Sequence, residues 1–96
     1  MQPKLFLIMA SIKILKKDIN FVLADIIEEI YVKELENPEI DLKKSGALID
    51  EAIVIFDALI SKIHQKEVAD IKAHFKAISS ELETQGNALL EKLNAL

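Results

Sequence analysis

IKILKKDINFVLADIIEEIYVKELE, residues 12–36, decides the fold. Ile12, Leu15, Ile19, Val22, Leu23, Ile26, Ile27 and Ile30 recur at steps of three and four. That period places them on one face of an α-helix and does not suit a strand, whose faces alternate every second residue. Ser11 stands where an N-cap belongs, and Pro38 disfavours helical geometry at Asn37. The sequence therefore predicts helix 1 over 12–36, with residues 1–10 as an N-terminal arm and a helix continuing upstream through Leu5 as the alternative. The β-branched isoleucines lower its intrinsic propensity, so packing must hold it.

The same period continues downstream. Asn37 to Asp41 reads as a turn, with Asp41 as the cap of helix 2 over 42–63. Its predicted core face is Leu48, Ile49, Ala52, Ile53, Phe56, Leu59, Ile60 and Ile63, wide enough to touch two neighbours. Gly46 is costly near its start, so its firm part is expected from about Ser45. A phase change marks a second break at His64 to Lys66. Helix 3 is then expected over 67–93, with Val68, Ile71, Phe75, Ile78, Leu82, Leu89, Leu93 and Leu96 repeating nearly every seven residues. Gln85 and Gly86 interrupt that seam and are expected to loosen the last turns. Three long helices on short links predict one all-α domain, residues 11–96, built as an antiparallel three-helix bundle.

Composition agrees. The chain has 96 residues, 51% hydrophobic and 29% charged, with two glycines and two prolines, too few for the turns of a sheet protein. It has no cysteine, which removes disulfides and thiolate metal sites. Its net charge is -4 and all its cationic side chains are lysine, so it lacks both the positive field and the arginine fork of a nucleic-acid binder. The apolar run Leu5 to Ala10 is far too short to span a bilayer. Lysines follow at once without a small-x-small cleavage pattern, so a cytoplasmic location is expected.

Two runs, Leu15-Lys16-Lys17-Asp18-Ile19-Asn20-Phe21-Val22 with Asp25-Ile26-Ile27-Glu28, and Lys72-Ala73-His74-Phe75-Lys76-Ala77-Ile78, resemble a small family of uncharacterised bacterial helical proteins. The resemblance covers most of the chain from Met9. It implies a bacterial cytoplasmic setting and no particular chemistry. Members begin near the equivalent of Met9-Ala10, so it also implies that residues 1–8 are an extension.

Constellations that carry chemistry are sparse. Asp70 and His74, four apart, share a helix face, but two ligands are too few for structural zinc, and a solvated ion pair is the expected reading. His64 and Glu67 flank a predicted break and read as turn residues. Asp25 with Glu28-Glu29, and Asp50-Glu51, read as solvated face. No Glu-x-x-His motif of a di-iron bundle occurs. Ser79-Ser80 lacks a glycine elbow, and there is no glycine-rich phosphate loop. The sequence thus predicts no catalytic, cofactor-binding or metal-ligating residue, and no enzyme.

Two other patterns carry more. Helix 1 bears a second apolar seam, Ile14, Phe21, Ala24, Tyr31 and Leu35, interrupted by Lys17 and Glu28, opposite its core face. It predicts either an interface or packing against Leu5 to Ile8. Charge is also segregated. Residues 1–20 and 55–76 carry eight lysines and four acids, and the remainder carries four lysines and twelve acids. Lysines near the start of helix 1 oppose its dipole within one chain. In an antiparallel pair of helices 1, Lys13, Lys16 and Lys17 approach the partner's Glu28, Glu34 and Glu36. The expected function is a self-associating protein–protein module, a homodimer through helix 1 that can also dock a protein partner. The alternative is an apolar small molecule or lipid held among Ile26, Ile53 and Phe56.

Overall fold

A computed structural model describes the backbone of residues 3–65 and 68–96 and the side chains of 9–65 and 68–96. It contains α1 (Pro3–Glu36), α2 (Leu42–Ile63) and α3 (Ile71–Asn94), with no strand among the described residues. Each helix packs against both others, so the chain is an all-α three-helix bundle.

The boundaries follow local chemistry. Asn37 closes the end of α1 through its N–H to the Lys33 carbonyl, and its own carbonyl accepts from Ile40. Asp41 Oδ1 then accepts from the Lys43 N–H at 2.9 Å and caps α2. At the far end His64 donates its N–H back into the last turn. Asp70 Oδ1 accepts from the Ala73 N–H at 3.1 Å and starts α3.

Two starts differ from the sequence reading. α1 begins at Pro3 rather than Ile12. Proline suits a first turn, where its missing N–H is not needed. No breaker separates it from Ser11, so Ser11 lies inside the helix and caps nothing. Lys13, Lys16 and Lys17 consequently sit about three turns or more inside α1, beyond the reach of its dipole, and the expected dipole conflict at these lysines does not arise. α3 begins at Ile71 because Asp70 is its cap, and Val68 and Ala69 are outside any helix. Lys66 and Glu67, assigned by the phase change to the second break and to the start of helix 3, lie outside the described residues, as do the side chains of Leu5 to Ile8.

The core is aliphatic. Leu15, Ile19, Leu23, Ile26 and Ile30 of α1 meet Leu48, Ala52, Leu59 and Ile63 of α2 and Ile78, Leu82, Leu89 and Leu93 of α3. Among the described side chains of α1, Ile12 is the first in the cluster and Met9 is exposed. α1 is also the longest of the three helices. Its 34 residues measure about 51 Å against about 33 and 36 Å for α2 and α3. The molecule extends 58 × 19 × 16 Å.

Ile53 departs from the predicted core face. It is 47% exposed, while Ile55, on the opposite edge of the stripe, packs on the core. The α2 face is rotated toward Leu48, Ala52, Leu59 and Ile63. Gly86 also departs. It is buried, and a Cβ there would lie 3.5 Å from Val22 Cγ1 and 4.0 Å from Ile26 Cδ1. It marks the close approach of α3 to α1, and α3 runs on unbroken to Asn94 with Leu89 fully buried. Gly46 faces open space, and α2 is helical through it from Leu42.

The two glycines should therefore respond differently to substitution. Gly46→Ala meets no neighbour and should stabilise the fold by about 0.5–1 kcal/mol through helix propensity. Gly86→Leu drives a side chain into Val22 and Ile26 and should cost about 1–3 kcal/mol. Urea unfolding of both variants checks the opposite signs.

Candidate functional site: an exposed apolar seam on α1

The polar contacts show how the bundle leaves one side of α1 open. Near the end of α1, Lys33 Nζ donates to the Leu93 carbonyl at 2.9 Å, tying α1 to the last turn of α3. The next residue, Glu34, accepts from Ser45 Oγ at 2.7 Å, tying α1 to the first turn of α2. Ser45 is fully buried, and this bond satisfies its hydroxyl. Glu51 of α2 pairs with Lys92 of α3, and Lys62 of α2 with Glu81 of α3. His74 Nε2 donates to the Lys62 carbonyl at 2.6 Å, fastening the start of α3 to the end of α2. All of these contacts lie on the core side of α1 or beyond it.

The opposite side carries the predicted seam. Ile14 is 61% exposed, Phe21 73%, Tyr31 51% and Leu35 85%, and Ala24 is exposed between them. Lys17 and Glu28, its two polar members, are exposed as well. The seam positions 14, 17, 21, 24, 28, 31 and 35 step by three and four without a miss, which is the spacing of a coiled-coil face. Isolated apolar residues on a surface are ordinary, but four large ones in line on one helix form a patch of the kind that marks an interface.

A groove continues from this seam. Phe21, Val22 and Asp25 of α1 form one wall, and Ser79, Glu83, Gly86 and Leu90 of α3 the other, around roughly 330 Å³. The sequence reading missed it, since a groove between helices depends on their relative rotation. A second groove of similar size lies between α2 and α3, beside Lys44, Leu48, Lys92 and Leu96. Neither is lined by Ile53 or Phe56. Ile53 faces solvent, Ile26 is buried, and Phe56 packs on the core.

Asp70 and His74 do not form the expected solvated pair. Asp70 serves as the α3 cap, and His74 is taken by the Lys62 carbonyl. No group of three or more His, Cys, Asp or Glu capable of holding a metal occurs among the described residues. Among those residues, no helix is long and apolar enough to cross a membrane. No family model, curated protein or solved structure matches the chain.

A capping role for Asp70 predicts how it behaves toward metal. Asp70→Ala should lower stability by about 1 kcal/mol. The loss should be the same with and without chelator, and chelator should leave the parent's thermal midpoint unchanged. Calorimetry of both proteins in each buffer checks this.

Proposed function

We propose that this protein is a self-associating helical interaction module, a homodimer joined through the outer seam of α1. The observation that carries the proposal is the exposure of Ile14, Phe21, Tyr31 and Leu35 in one line on a helix whose other face is fully occupied. Fully burying a large apolar side chain contributes about 1.5–3 kcal/mol. A two-fold pair buries the exposed part of each of the four twice, a gain of the same order as the association cost of about 4–15 kcal/mol. A two-fold assembly is also the commonest closed arrangement of identical chains.

The placement of Ile26, Ile53 and Phe56 supports this reading over an apolar ligand between α1 and α2, because the three do not converge on a common space. Neighbouring helices running in opposite senses, as the Glu34–Ser45, Glu51–Lys92 and Lys62–Glu81 contacts support, place α2 and α3 together behind α1. The outer seam then stays open along its length. The groove beside Phe21 and Leu90 gives a further partner a place next to the dimer seam. The family resemblance adds a bacterial cytoplasmic setting to the proposal and assigns no catalytic role.

Light scattering at micromolar concentration should give twice the chain mass. Phe21→Glu should give the single mass with the helix content retained, because Phe21 contributes nothing to the intrachain core. Val54→Glu, which changes an apolar residue of α2 that is 65% exposed, should remain dimeric. A parent of single mass would defeat the proposal, and loss of the dimer in the Val54 variant alone would move the interface to α2.

A further inference from the structure

The seam fits a second copy of itself in one orientation and one register. Its members fall alternately at the two positions of a heptad face, Ile14, Phe21, Glu28 and Leu35 at one and Lys17, Ala24 and Tyr31 at the other. When two such helices run in opposite directions, each position of the first kind faces one of the second kind. With the two-fold axis between Val22 and Leu23, Lys17 faces the partner's Glu28. The same placement sets Phe21 over the partner's Ala24 and Ile14 against the partner's Tyr31. At the ends Leu35 meets the partner's Ala10. Both charged interruptions of the apolar seam are thus paired with each other, and each large ring or branch meets a residue that leaves it room or stacks on it.

Resting on the self-association reading, we propose that α1 pairs antiparallel with α1 of a second copy in this register, with the Lys17–Glu28 contact formed twice across the axis. Charge on the flanks supports it. On the α2 side of the seam, Lys13 comes beside the partner's Glu34, again twice. On the α3 side Asp18 comes beside the partner's Asp25, a like-charge contact that opposes pairing in part. Four attractive contacts stand against two repulsive ones. Among the described residues neither salt bridge uses Lys17, Glu28 or Lys13, while Glu34 Oε1 already accepts from Ser45 Oγ at 2.7 Å, so Lys13 would share that carboxylate with Ser45. A parallel pair sets Lys17 against Lys17 and Glu28 against Glu28, burying like charges at both interruptions. The register therefore makes Lys17 and Glu28 specificity residues, which select the orientation while the apolar members supply the affinity.

The chain has no cysteine, so introduced thiols report on this interface alone. Ile14→Cys and Tyr31→Cys chains, each exposed at the changed position, are mixed and oxidised. The expected product is a mixed disulfide, with no cross-link in either variant alone, because like positions lie about 26 Å apart along the antiparallel pair. In parallel, sedimentation should show Lys17→Glu and Glu28→Lys each weakening self-association about tenfold or more, and Lys17→Glu/Glu28→Lys restoring the parent value. A cross-link of Ile14→Cys to itself, a mixture that forms no cross-link, or single charge variants that associate as the parent does would overturn the register while leaving self-association standing. A monomeric parent would remove both.

Discussion

α1 has two apolar faces, and α2 and α3 can cover only one of them. Ile19, Leu23, Ile26 and Ile30 lie within 2% of complete burial because both shorter helices converge on that single stripe. Both ties from the end of α1, Lys33 to the Leu93 carbonyl and Glu34 to Ser45, draw the neighbours to the same side. The outer face is then left to solvent by geometry, whatever its residues are. What is informative is that it holds Ile14, Phe21, Tyr31 and Leu35, where solvation alone favours charged and polar side chains.

How much of this was legible in the sequence varies with how local the cause is. The end of α1 and both ends of α2 were readable, because Pro38, Asp41 and the apolar period act within a few residues. Of the two readings of the start of α1, the upstream continuation through Leu5 holds and the start at Ile12 fails, for a physical reason. Ser11 can cap a helix only where the preceding chain leaves the helical conformation, and nothing between Pro3 and Ser11 makes it leave. The start of α3 was misplaced by a few residues because periodicity extends into Val68, whereas Asp70 captures the Ala73 N–H and fixes the boundary. A cap with a free Oδ1 outweighs one more apolar residue at helical spacing.

Ile53, Gly86 and His74 were misread because their roles depend on a second helix. The α2 stripe was wide enough for two rotations, and only packing against both neighbours selects the one that leaves Ile53 outside. Gly86 breaks a heptad seam when α3 is considered alone. Beside Val22 and Ile26 it becomes a buried contact between α3 and α1 and part of the groove next to Phe21. His74 lies four residues from Asp70 and suggests a pair, yet the Lys62 carbonyl at the end of α2 competes for its ring. The exposure of the outer seam of α1 escaped this problem, since a face that the described residues leave largely open is as readable in sequence as in structure.

In the proposed pair the lysine and glutamate halves of α1 acquire a common physical account. Within one chain Glu34 holds Ser45, but the lysines lie too deep in the helix to feel its N-terminal dipole, and Glu36 stands at the unfavourable C-terminal end. Exposed charges on a straight helix also contribute little to folding. A gradient of charge along a helix does have a consequence when two copies meet, because it makes one mutual direction attractive and the other repulsive. The apolar seam alone is nearly indifferent to direction, and the charge gradient breaks that indifference. In the proposed pair, Ala10 and Ala24 against Leu35 and Phe21 select register in the way the charges select direction, by giving each large side chain a small one to cover.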